Sequence, residues 1–199
     1  MRPSRSLLLS TLIIAACFGS VCAQRRWERV PPPRDPQFYV PRNKLEDIEG
    51  HTETVLIKGR TYVAILRAQN GTARVEATEI RHAENSTRAT GVVITIVAEG
   101  GPPGEIRSLI DYDEIDALIK AFDTIAKTDD SVTKLTHFEA RYRTKGDFEI
   151  MVFKQISGTV LTAVEGGFFD RTRVLLTLED FTRLRWMIVQ AKEKLDEIR

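Results

Sequence analysis

Two stretches of this chain echo each other, and the echo limits what the rest can fold into. The first is Gly91-Val-Val-Ile-Thr-Ile-Val-Ala-Glu-Gly-Gly101; the second is Gly158-Thr-Val-Leu-Thr-Ala-Val-Glu-Gly-Gly167, one residue shorter. Each leads through turn residues into the same grammar, Arg107-Ser-Leu-Ile-Asp-Tyr-Asp-Glu-Ile and Arg173-Val-Leu-Leu-Thr-Leu-Glu-Asp-Phe. Self-similarity in a fixed order marks a supersecondary unit used twice. The pattern therefore predicts pseudo-repeats over about residues 53–127 and 131–198. It names no reaction.

Each copy reads as strands followed by a helix. Asn70-Gly71 between two β-branched runs predicts a hairpin. Gly59 reads as a bulge or turn between strands at 54–58 and 60–69, and 84–90 as a polar loop. In the second copy, 133–144 reads as one long strand returning through Lys145-Gly146. Asp111 with Glu114, and Thr177 with Asp180, have the spacing of a capping box. Ile110/Ile115 and Leu176/Phe181 have that of a hydrophobic staple. Ile115, Leu118, Ile119, Phe122, Ile125 and Ala126 form one helical stripe; Phe181, Leu184, Ile188, Ala191, Leu195 and Ile198 form the other. The expected fold class is α+β, a two-layer sandwich with two amphipathic helices on one face of an antiparallel sheet.

Residues 1–23 have the form of an export signal. Arg2 and Arg5 precede an apolar run from Leu7 to Phe18, and Val21-Cys22-Ala23 is a small-residue cleavage site before Gln24. Cleavage between Ala23 and Gln24 removes both cysteines of the chain. Alternatively, Ile14-Ala15-Ala16-Cys17 has the form of a lipobox, with Cys17 as the lipidated residue. The expected localisation is exported, periplasmic or extracellular, or anchored to the envelope by lipid. Residues 24–45 hold five of the eight prolines and six basic residues against two acidic, a basic linker. Residues 46–199 are the single expected domain.

Charge excludes one class of partner. Lys+Arg total 29 and Asp+Glu 28; without the first 23 residues the balance is 27 to 28, far from the basic bias of a nucleic-acid binder. No nucleophile elbow, phosphate loop or zinc-hydrolase helix is present in the sequence. No catalytic residue, cofactor or metal is assigned. His51, His82 and His137 lie far apart in sequence. Asn70-Gly-Thr and Asn85-Ser-Thr match the glycosylation sequon, which matters only in a eukaryotic secretory pathway.

Four residues are candidates for partner binding. Arg141, Arg143 and Lys145 alternate along one strand face, either open to an anionic ligand, guarding an edge strand with charge, or paired with Glu149 across the hairpin. Trp186 sits opposite the apolar stripe of the second helix. It is either covered by the proline-rich segment through Phe38 or Tyr39, or it anchors a partner. Glu99 and Glu165 occupy matching places in the echo as candidate pseudo-symmetric carboxylates. The run Ser108-Leu-Ile-Asp-Tyr-Asp-Glu-Ile-Asp-Ala-Leu-Ile-Lys-Ala, with Phe138-Glu-Ala-Arg-Tyr-Arg-Thr-Lys-Gly-Asp147, resembles stretches of uncharacterised exported bacterial proteins with no assigned activity. The resemblance implies a compartment and a kingdom only.

The leading expectation is an exported, non-enzymatic binding or interaction module of the cell envelope. Its partner would be a protein or envelope component, with membrane contact only through a lipid anchor. The alternatives are a periplasmic small-ligand carrier with a pocket between sheet and helices, and an enzyme without a recognisable motif.

Overall fold

A computed structural model describes residues 40–100 and 104–199. The signal segment, its cleavage site, the lipobox and most of the proline-rich linker lie outside the described residues. A short helix α1 (Lys44–Glu49) comes first. Four strands follow, β1 (Leu56–Ala68), β2 (Gly71–His82), β3 (Arg88–Ala98) and β4 (Ile106–Asp111), and then helix α2 (Tyr112–Ile125). After a 3₁₀ turn (Asp130–Val132) come β5 (Glu139–Arg143), β6 (Glu149–Lys154), β7 (Val160–Gly166) and β8 (Thr172–Leu176). Helix α3 (Leu178–Asp196) follows β8.

The α+β class and the strands-then-helix order, used twice, are what the structure shows. The strands, however, divide into two four-stranded antiparallel sheets, β1-β2-β3-β4 and β5-β6-β7-β8, rather than one. Both sheets and both long helices contribute to one apolar core. Phe122, Ile115 and Leu118 of α2 and Phe181, Leu184 and Ile188 of α3 pack there with Val75, Val92, Ile94, Ile150, Val164 and Val174. Burying these side chains removes apolar surface from water at about 25 cal/mol per Å². The helices run antiparallel, with Phe122 against Phe181 at 4.6 Å between ring centroids. Arg185–Asp123 and Lys192–Asp116 ion pairs flank that contact at 2.8 and 3.4 Å.

Several sequence expectations are corrected. The domain begins before residue 46, because Asn43 caps α1: its side chain accepts from the Glu46 N–H at 2.9 Å and donates to the Leu109 carbonyl at 2.7 Å. Leu45 and Ile48 of α1 are buried against Ile80, Ala89, Val93 and Leu109, on the face of the first sheet opposite the long helices. Asp111 makes no cap bond to α2; its carboxylate instead accepts from the N–H groups of Lys44 and Leu45 at 2.8 and 3.0 Å. Its would-be box partner Glu114 accepts from the Lys145 N–H. Thr177 does cap α3, accepting from the Asp180 N–H at 3.0 Å. Asp111 is drawn away because two orphan donors of α1, the N–H groups of Lys44 and Leu45, lie within reach, whereas Thr177 keeps its local partner Asp180.

β1 is one strand through Gly59, and the bulge falls at Tyr62/Ala64. The β1–β2 turn is Gln69-Asn70, one residue earlier than the Asn-Gly pattern suggests. A side chain at Gly71 would meet the Val97 carbonyl at 2.2 Å, so the glycine answers to the approach of β3. β5 is five residues, not twelve, because residues 133–138 are bends and coil that join β6 only through the Phe138 carbonyl, which accepts from the Lys154 N–H at 3.0 Å.

The echo itself is only half in register. Arg107 and Arg173 stand at the same distance before the caps Asp111 and Thr177. The echoed threonines do not match: Thr95 faces Arg107 across its hairpin, whereas Thr162 faces Leu176. By ladder position, Thr162 corresponds to Val92 and Thr95 to Glu165.

Candidate interaction surface

The second sheet carries on its outer face a row set by register alone: Arg143 opposite Glu149, Glu149 opposite Glu165, Glu165 opposite Arg173. Two like charges sit side by side in the middle of that row. Arg171, just before β8, resolves the repulsion by bonding Glu149 at 2.8 Å and Glu165 at 2.7 Å. Arg143 adds a 2.8 Å bond to Glu149, and Arg173 bonds Glu165 at 2.9 and 3.1 Å. Burial pushes the Glu149 carboxyl up, but Arg171 and then Arg143 outweigh it and hold its pKa below the ordinary value. An ionised carboxylate bonded to two guanidiniums is a structural anion, not a proton donor. The network continues at the sheet's end, where Arg42 pairs with Glu46 at 2.6 Å and with Asp147.

This arrangement sorts the sequence candidates. Arg143 is engaged with Glu149. Arg141 points the same way but is exposed, and among the described residues its carboxylate neighbour is Glu139 of its own strand at 3.6 Å. Lys145 leaves the row for the β5–β6 turn. Glu165 is buried in the network, whereas Glu99 is exposed beyond the end of β3, so the two carboxylates are not equivalent. Trp186 is 55% exposed on α3, opposite the buried stripe. The segment expected to cover it lies outside the described residues.

The structure also unites residues that sequence spacing kept apart. His51 Nδ1 lies 2.8 Å from His82 Nε2, and the Thr54 hydroxyl lies 3.1 Å from His82 Nδ1. The strand β2 carries His82 back to the chain leaving α1, a long-range pairing that no local motif encodes. Among the described residues, no group of three or more His, Cys, Asp or Glu side chains is placed to hold a metal ion.

Cavities of about 490 and 290 Å³ lie at the surface, by the β6–β7 turn (His137, Phe153, Ile156) and by the β2–β3 turn (Arg81, His82, Arg88). Phe122 and Ile188, whose stripes would back a carrier pocket, are fully buried in the core. Asn70 does not offer its amide freely. Its oxygen accepts from the Leu175 N–H at 2.7 Å and its nitrogen donates to the Arg173 carbonyl at 3.3 Å, covering part of the outer edge of β8.

Several large apolar side chains also remain in water. Phe168 and Phe169 stand at the β7–β8 loop, with the Arg42 guanidinium 5.3 Å from the Phe168 ring. On β1, Tyr62 is 55% and Ile65 39% exposed. No helix of the described residues is long and apolar enough to cross a membrane. Among known proteins, no family, curated sequence or solved structure matches this chain.

Proposed function

We propose that the chain is an exported, non-enzymatic binding module of the cell envelope that engages a protein or envelope partner through its ordered outer surface. The observation that carries this reading is Trp186. It stands in the middle of a helix whose opposite stripe is buried from Phe181 to Leu195, so the core has no use for it, and it remains 55% exposed. Interface hot spots are enriched in tryptophan because one side chain desolvates a large area at low entropy cost. The signal-like residues 1–23 support export, and Arg2, Arg5 and the Val21-Cys22-Ala23 site are the residues on which that part rests.

The test is capture from native envelope extract by the full chain, with the partner identified by mass spectrometry and then titrated in purified form. Trp186→Ala is expected to weaken that partner roughly tenfold or more, the scale of a hot spot. Equal affinity of both forms would remove Trp186 as the anchor and this reading with it.

A further inference from the structure

An edge strand leaves every second N–H and C=O without a ladder partner, and folded proteins normally shorten or cover such edges. The second sheet does so. β5 has five residues, and the outer edge of β8 is engaged by the Asn70 side chain through both its oxygen and its nitrogen. β1 is the exception. At 13 residues it is the longest strand, it lies at the end of the order β1-β2-β3-β4, and no described strand pairs with its outer side. Ile57–Tyr62 are six consecutive exposed residues, so this half of the strand is open on both faces as well as at its edge.

The side chains on one face of β1 form a pattern. Register with Thr78, Glu76, Arg74 and Thr72 places Arg60, Tyr62, Ile65 and Arg67 together on the outer face, the bulge at Tyr62/Ala64 restoring the alternation. The order is cation, aromatic, aliphatic, cation. β1 contains no acidic residue. Its third cation, Lys58, pairs with Glu49 at 2.6 Å, but among the described residues neither Arg60 nor Arg67 has a carboxylate partner.

We propose that the free edge of β1 binds an extended acidic peptide segment, which adds to the first sheet as a fifth strand. The proposal rests on the binding-module reading and names the partner's chemistry. Main-chain hydrogen bonds supply the common part of such an interaction, and alternate side chains supply selectivity. Arg60 and Arg67 ask for carboxylates about 20 Å apart at about 3.3 Å per residue, with apolar side chains between them for Tyr62 and Ile65. A second copy of this chain is a poor occupant. Antiparallel pairing centred between Val63 and Ala64 would set Arg60 opposite Arg67 on both sides of the axis, like charges directly across a ladder.

The probe is a fluorescein-labelled peptide of alternating valine and threonine with two glutamates at each end, titrated into the purified full chain at low salt and followed by anisotropy. Saturable binding is expected, weakened roughly tenfold or more in the Arg60→Glu/Arg67→Glu variant, since both charge contacts turn repulsive. An N-methylated peptide of the same sequence keeps every charge and loses the ladder donors, so it is expected not to bind. Thermal melts of the variant matching those of the wild type establish that the fold is intact.

Equal binding of the N-methylated peptide would reduce the contact to unspecific charge and overturn strand addition. Equal binding by the charge-reversed variant would overturn the acidic partner. Binding to phosphatidylglycerol vesicles through Arg60 and Arg67, without peptide binding, would assign the strip to a membrane surface instead. Sedimentation showing a dimer that the charge reversal abolishes would assign it to a second copy. If the peptide fails while an envelope partner is still captured in a Trp186-dependent way, the binding-module reading stands and β1 alone is wrong.

Discussion

The outer faces of the two sheets carry rows at the same place in the strands-then-helix unit, and they handle charge in opposite ways. In the second sheet the row reads Arg143, Glu149, Glu165, Arg173, and Arg171 ties its two carboxylates together. In the first sheet the row reads Ile65, Arg74, Thr95, Arg107. Its cations find carboxylates outside the row, Arg74 with Glu76 and Glu105 and Arg107 with Glu49. One ladder geometry thus holds either a closed, buried ion network or a looser set of half-exposed pairs. A buried network cannot lose one member without stranding the others, whereas exposed pairs contribute little each. The closed face is therefore built to stay shut, whereas on the other sheet's edge strand Arg60 and Arg67 have no carboxylate partner among the described residues.

The largest effect expected from this contrast is at Glu149. Glu149→Ala leaves Arg171 and Arg143 short of a buried partner and is expected to cost about 3 kcal/mol. Arg74→Ala, in the corresponding place of the first sheet, is expected to cost about 1 kcal/mol or less. Urea unfolding of both variants measures the difference; equal losses would erase the distinction. The same group gives a pH dependence. Because its folded pKa lies below the ordinary value of 4.5, Glu149 stabilises the protein fully above that value. This contribution is lost as pH falls through the lowered folded pKa. The stability gap between wild type and Glu149→Gln should therefore close as the solution is acidified below 4.5, and a gap independent of pH would mean that the carboxylate's charge is not what stabilises.

The two helix caps extend the comparison. Asp111→Ala removes two bonds to N–H groups of α1 and is expected to cost about 2 kcal/mol. Hydrogen exchange should show the amides of α1 opening first. Thr177→Ala removes one local cap bond and is expected to cost about 1 kcal/mol, with fraying confined to the start of α3. If exchange instead accelerates in α2 for Asp111→Ala, the carboxylate serves the helix it precedes.

What was legible in the sequence is what short-range chemistry decides. The helical stripes, apart from Ala126 and Ile198, which are exposed, the Thr177 cap and the lead-in strands follow from residues a few positions apart. The Arg143–Glu149 pair follows from one hairpin. The unread parts depend on residues brought together from a distance. Asp111 has the identity and spacing of a cap, and only the arrival of α1 from 66 positions earlier diverts it. His51 and His82 meet because β2 runs back to the chain leaving α1. The split into two sheets is invisible because each strand records its burial pattern but not its neighbour. The echo misled in detail for the same reason. Val-x-Thr-x-Val fits any central strand, so it recurred three residues out of ladder register. α1 could have been found: Asn43 three residues before Glu46, with Leu45 and Ile48 on one side, is a capped amphipathic turn.

The smallest expected effect tests the first sheet's row at its centre. Thr95 lies between Arg74 and Arg107 and is 2% exposed, and its hydroxyl has no hydrogen-bond partner among the described residues. A buried hydroxyl without a partner costs free energy that an isosteric methyl does not. Thr95→Val keeps the β-branched shape that suits the strand. It is expected to raise stability by about 0.5–1 kcal/mol, read as a higher urea midpoint at unchanged slope. The corresponding residue of the second sheet is Glu165, where the same replacement would strand Arg173, leave Arg171 with Glu149 alone and carry the opposite sign. The two substitutions therefore form a matched pair at one ladder position. If Thr95→Val destabilises the protein, its hydroxyl takes part in the polar surface around Arg74 and Arg107, and the two rows are closer in kind than their residues suggest.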